Sequence, residues 1–243
     1  MKITTVGFLA LCACALPRMA AAQTMQWTDK GYASVNGGVQ AGSHDLSGSG
    51  SFPIFDEIAT FTSTDKVKGG GLIDIGGAYR VWGKNLLVGV TFTHTSSKSD
   101  GALTGSIPDP VVTDRPGTLN RTFADLKHAE NAVHLDAVWM MPVANKIDVG
   151  ISAGPTIFAV SQEMASLTST GSGSTATVTT TVAKTSKAAV GFNAGVDVQY
   201  MVAKKWGVGG IMRYSIGSVS LPGAAKKLTV GGFQVGGGVR LRF

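Results

Sequence analysis

From residue 31 onward, apolar and polar side chains alternate with a period of two, in blocks separated by clusters of Gly, Pro, Asn and Lys. This is the pattern of strands with two unlike faces, and helical spacing is almost absent. It predicts eight strands near residues 31–43, 67–82, 86–98, 129–141, 147–163, 186–202, 206–219 and 228–243. The connections alternate in length. They are short at 83–85, 142–146 and 203–205, long around 44–66, 99–128 and 164–185, and intermediate after residue 219. Short turns at one end and long loops at the other describe an all-β, eight-stranded, antiparallel up-and-down barrel.

The two parities differ in chemistry. One carries Asp74, Arg80, His134, Asp136, Asp148, Asn193, Asp197, Gln199, Arg213, Gln234, Arg240 and Arg242. The other carries Ile73, Ile75, Val133, Leu135, Ile151, Phe192, Val196, Val198, Val208 and Met212. Aromatic residues mark one end of the barrel: Trp27, Tyr79, Trp82, Trp139, Tyr200, Trp206 and the terminal Phe243 all fall beside short turns or chain ends. That clustering is expected of an interfacial girdle on a transmembrane barrel. A lipid-facing Arg or Lys at the bilayer midplane costs about 2–4 kcal/mol, so the polar parity is assigned to the lumen. Eight strands leave room for little more than side chains, so the inward Asp, Arg and His residues are expected to form a plugging network.

Composition adds a compartment. Lys2, an apolar run and Ala20-Ala21-Ala22 read as a secretory signal peptide over residues 1–22, with one barrel domain over 23–243. Both cysteines, Cys12 and Cys14, fall in that leader, so no disulfide is expected in the barrel. The chain has 21 basic and 15 acidic residues. Removing Lys2 and Arg18 leaves 19 against 15, a net charge of +4, too mild and too scattered to indicate nucleic-acid binding. No segment is long and apolar enough for a transmembrane helix. The Ser/Thr/Gly-rich stretch 166–186 reads as a flexible or extended hairpin tip, and Pro108, Pro110 and Pro116 are expected to break strand pairing within 99–122.

A signal peptide, eight alternating strands and the ending Arg240-Leu241-Arg242-Phe243 together resemble the small outer-membrane β-barrel proteins of Gram-negative bacteria. This superfamily includes the barrel domain of outer-membrane protein A and porin-like relatives. The resemblance implies an outer-membrane location, with Phe233, Val239, Leu241 and Phe243 as the signal read by the barrel-assembly machinery. It also implies a monomer whose partners are outer-membrane lipid and lipopolysaccharide. Unlike outer-membrane protein A, the chain shows no peptidoglycan-binding domain after the barrel, so cell-wall anchoring is not expected.

Candidate chemistry is sparse. A spacing of two puts His94 and Ser96 on the same outward face near the far end of strand three, where His could act as base for a Ser nucleophile; outer-membrane lipid hydrolases look similar here. A Thr/Ser-rich strand end also forms such a pair by chance. His44, His128 and His134 are scattered, with no metal-ligand spacing, and no cofactor is expected. Three functions stay open: a structural or surface-interaction barrel plugged by its lumen network, a narrow low-conductance porin, and a lipid hydrolase using His94 and Ser96.

Overall fold

A computed structural model describes residues 27–171, 173–222 and 224–243; the leader read over residues 1–22 lies outside them. Ten strand segments follow one another: β1 (Gly31–Ala41), β2 (Ser43–Ile54), β3 (Glu57–Lys68), β4 (Gly71–Trp82), β5 (Leu86–Ile107), β6 (Gly117–Ala144), β7 (Ile147–Thr170), β8 (Thr177–Met201), β9 (Trp206–Val219) and β10 (Leu228–Arg242). All pairings are antiparallel, and β1, β4, β5, β6, β7, β8, β9 and β10 close into a ring of eight strands. Closure joins the chain ends, because Lys30 and Gly31 donate their amides to the Phe243 carbonyl at 2.7 and 3.0 Å.

The two extra segments continue ring strands. Val39 pairs with Gly71 in β1–β4, and Ser43 pairs with Lys68 in β2–β3, so one long hairpin runs from Gly31 to Trp82 with a break at Gly42 and Gly69-Gly70. Beyond the ring, β3 pairs with the upper part of β5, from Thr60–Ser106 to Asp65–Gly101. The connections expected as long loops are therefore mostly β-hairpin. β5 and β6 stay paired to Ile107–Gly117, and β7 and β8 to Thr170–Thr177. Pro108, Pro110 and Pro116 sit between β5 and β6 and end the hairpin without breaking it. Ser and Thr dominate β8 above the ring because β-branched, polar side chains suit a strand with a face in water.

Outward-facing apolar residues form a belt that includes Ile73, Ile75, Val88, Val90, Phe92, Leu135, Ile151, Ile157, Val196, Val198, Val208 and Met212. On β8 it runs from Val190 to Tyr200, close to the ~9–11 residues a tilted strand needs to cross the hydrocarbon. Tyr79, Trp82, Trp139, Tyr200, Trp206 and Phe243 are exposed at its lower rim. Trp27 departs from the expected girdle. It is 2% exposed and packs inside the barrel with Tyr32, Ala78, Leu87, Val138 and Met140. The physical reason is that Trp27 precedes β1, so no strand parity directs its ring outward, and the lower mouth of the barrel offers an apolar seat.

The interior also departs from a uniformly polar lumen. Above the belt the inner face becomes apolar, with Leu46, Val67, Phe158, Val160, Met164, Val219, Leu228 and Val230 in one cluster. Over it, Leu103, Ala165 and Leu167 pack with Phe52, Phe61, Ile107 and Phe123 where β7 meets the β2–β3 hairpin. The inversion follows the solvent. Within the bilayer the wall faces lipid outside, so polar groups go inward. Above it the wall faces water outside, so apolar groups go inward. On β7 the switch falls between Ile157, which faces out, and Phe158, which faces in.

Candidate functional site

The polar interior lies above the Trp27 layer, and its upper part is level with the Phe158 cluster. Arg240, 0% exposed, donates through Nη1 to Asn36 Oδ1 at 2.6 Å and pairs with Asp197 at 3.1 Å. Asn36 donates onward to Asp74 Oδ1 at 2.8 Å, and Asp74 Oδ2 accepts from Thr93 at 2.9 Å and from Arg213 at 2.7 Å. Beside this chain Asn193 donates to Asp136 at 2.8 Å and to Thr156, which shares a hydrogen bond with His134 at 2.8 Å. Below it, Arg242 pairs with Asp148 and lies 4.5 Å over the Trp27 ring. The buried parity thus brings together Asp74, Arg213, Asp197 and Arg240, places His134 and Asp136 next to them, and sets Asp148 with Arg242 at the lower mouth. Arg80 stands apart. Half-buried at the rim, it donates to the backbone carbonyls of Trp27 and Thr28 at 3.1 and 3.5 Å and meets no carboxylate. Two residues from the end of β4, it is too low to reach the lumen acids.

A second polar layer, above the first, was not assigned from the sequence. Gln40 donates to Glu130 Oε2 at 3.1 Å, His128 bridges Glu130 at 3.0 Å and Gln162 at 2.8 Å, and Thr95 and Gln234 both donate to Gln40 Oε1. The β10 backbone completes it. Gly231 holds φ at 90°, which turns its backbone into the lumen, where its N–H donates to Glu130 at 3.0 Å and its carbonyl accepts from Gln40 at 3.1 Å. Glycine serves crowding at Gly238, where a Cβ would collide with the Val35 carbonyl, whereas at Gly237 it would make only an ordinary contact with the Gly209 carbonyl at 3.5 Å. One gap left in the polar lumen, lined by Tyr32, Asp74, Asp136, Asp197 and Arg213 among others, is about 30 Å³, enough for a few waters.

His94 and Ser96 lie on the outside of β5, at a surface groove of about 560 Å³. The His94 Nδ1 shares a hydrogen bond at 2.8 Å with Asn131, its direct neighbour across β5–β6. No hydrogen bond joins His94 to Ser96. Among the described residues no group of three or more His, Cys, Asp or Glu side chains could hold a metal ion.

Higher still, Asp65 is 3% exposed and neither carboxylate oxygen has a hydrogen-bond partner. Burial pushes its carboxyl up from 3.8 to about 6. A folded pKa above the unfolded one means that the associated stability is present below about pH 4 and lost as pH rises through 6. Asp65→Asn is therefore expected to stabilise the outer hairpins by roughly 3 kcal/mol at pH 7.5 and by almost nothing at pH 4. Heat-dependent gel mobility at the two pH values checks this, and an equal effect at both would dismiss the charge as the cause.

Comparison with known proteins gives one family match, described as outer membrane protein beta-barrel domain, over residues 6–243. Solved structures with a similar course include Neisserial surface protein A, 12% identical over 88% of this chain and 97% of that one, with a TM-score of 0.45. The outer membrane protein OprG from Pseudomonas aeruginosa is 11% identical over 90% and 99% of the two chains, with a TM-score of 0.42. The outer membrane protease OmpT from Escherichia coli is 10% identical over 91% and 100%, with a TM-score of 0.46. None of the curated proteins compared with the chain matches it.

Proposed function

The chain belongs to the outer-membrane β-barrel protein family and is placed in the bacterial outer membrane; from that premise we propose that it is a closed barrel with a structural or surface-interaction role, its lumen plugged and its long hairpins presented outward. The observation that carries this reading is the layered filling of the interior. An apolar layer at Trp27 lies beneath two hydrogen-bonded polar layers, the upper of which packs alongside the Phe158 cluster, and a gap of about 30 Å³ lies in the lower one. A conducting lumen needs a continuous wet path, which such layers would interrupt. Strand length supports the outward role: β6 runs from Gly117 to Ala144, well beyond the ~9–11 residues a crossing requires.

Neither alternative gains a specific observation. A narrow pore would call for a continuous channel through the polar layers, and a hydrolase would call for His94 to meet Ser96, where it instead meets Asn131. The refolded protein is expected to run with heat-dependent mobility on gels and to give no discrete steps in planar-bilayer recordings. Regular unitary steps from the folded form would overturn the closed reading.

A further inference from the structure

The outer wall of β5 to β8 changes character in horizontal rows. Phe92, Ile157 and Val190 end the continuous apolar belt on β5, β7 and β8, with Val182 exposed alone farther out on β8. Beyond the hydrogen-bonded pair His94 and Asn131 come Ser96, Ala129 and Ser161, small enough to leave the groove of about 560 Å³ between the strands. Lys98, Lys127 and Lys184 line its upper edge. The order apolar, small, basic matches the order of a lipid leaflet seen from its core outward: acyl chains, then headgroup, then the charged surface.

The charges are arranged as if for an anion that is not part of the chain. Lys98 and Lys127 stand directly opposite each other across β5–β6, a like-charge pairing that a sheet ordinarily avoids. Lys98 is held by Asp125 at 3.3 Å, with both side chains well exposed. Lys127 and Lys184 make no ion pair within 4 Å among the described residues. Glu163 is the one carboxylate lining the groove, and its Oε2 already accepts the Lys127 backbone N–H at 2.9 Å. Three lysines therefore face one carboxylate beside an open groove at the upper edge of the belt.

We propose that this groove binds the phosphate-bearing headgroup of a multi-acyl lipid of the outer leaflet. Lys98, Lys127 and Lys184 meet the phosphate, and the acyl chains lie along Phe92, Ile157 and Val190. Lysine suits this task as a mobile point charge able to bend toward the headgroup plane. The inference deepens the surface-interaction reading and rests on the barrel standing in the outer membrane.

The test is native mass spectrometry of the full mature barrel in neutral detergent. The probes are bisphosphorylated lipid A, the same lipid with its phosphates removed, and inorganic phosphate. The phosphorylated lipid should stay bound. Retention should fall on the order of a hundredfold in Lys98→Gln/Lys127→Gln/Lys184→Gln, at the usual worth of a lysine near an anionic surface. It should return with arginine at the same three positions. Lys204→Gln/Lys226→Gln/Lys227→Gln removes the same charge elsewhere and should bind as the parent does. Equal loss in that control, equal binding of the dephosphorylated lipid, or displacement by inorganic phosphate alone would each overturn the proposal. Heat-dependent mobility of the groove variant separates the outcomes: a folded barrel that never binds lipid A sinks the groove, and an unfolded one is answered by the arginine variant.

Discussion

Arg240→Ala is expected to destabilise the barrel by about 3–5 kcal/mol, the cost of leaving a buried partner charge without its counterpart. Arg240 is wholly buried and joins Asn36 to Asp197, while Asn36 in turn holds Asp74, which Arg213 also meets. Removing the guanidinium strands the Asp197 carboxylate and frees one end of the Asn36 bridge. Removing both charges in Arg240→Met/Asp197→Leu takes away the stranded group as well, and should cost far less, because an apolar pair often replaces a buried ion pair with little loss. Urea unfolding of both variants in lipid micelles, followed by gel mobility, decides the matter. If the double variant is as weak as the single one, the energy lies in packing around Arg240 and not in its charge.

The same residues show what the sequence could disclose. Arg240 and Arg242 were legible because a period of two and the cost of charge in lipid leave one place for them, and Asp74, Asp136 and Asp197 follow by the same logic. The partners were less legible. Gln40 and Glu130 lie 90 positions apart, and only closure of the ring brings them across the lumen. Glu130 and His128 share a parity with His134 and Asp136, which was the available signal, but a strand begun at 129 leaves His128 outside it and Glu130 at its very end. Trp27 lies outside any strand, so periodicity says nothing about its ring. The outer hairpins were hidden for another reason. Where the wall leaves the bilayer the polarity of its two faces inverts, and around Ile157 and Phe158 consecutive residues are both apolar, one toward lipid and one toward the core. A reader who holds one sense along the whole strand sees the alternation end there, and the rest looks like loop.

Phe158→Ala carries the second large effect, again about 3–5 kcal/mol, and toward the upper part of that range. The ring is fully buried and lies so close over the neighbouring strands β8 and β9 that a Cβ on Gly191 or Gly217 would come within 2.8 and 2.9 Å of it. A cavity left there has little means of collapse, because the surrounding wall is a closed ring of backbone hydrogen bonds whose circumference cannot shrink. The loss of stability should nevertheless come without conductance. Beside Phe158 the Gln40–Glu130–His128 layer, and beneath it the Arg213–Asp74–Arg240 layer and the Trp27 layer, remain in place, and each spans the lumen by contacts that do not involve the ring. Chemical unfolding and planar-bilayer recording of the same variant separate the two consequences. A destabilised but silent barrel fits a plug built from several layers, whereas unitary steps from Phe158→Ala alone would mean that the upper apolar layer is the only seal and that the polar layers beside and beneath it admit water and ions.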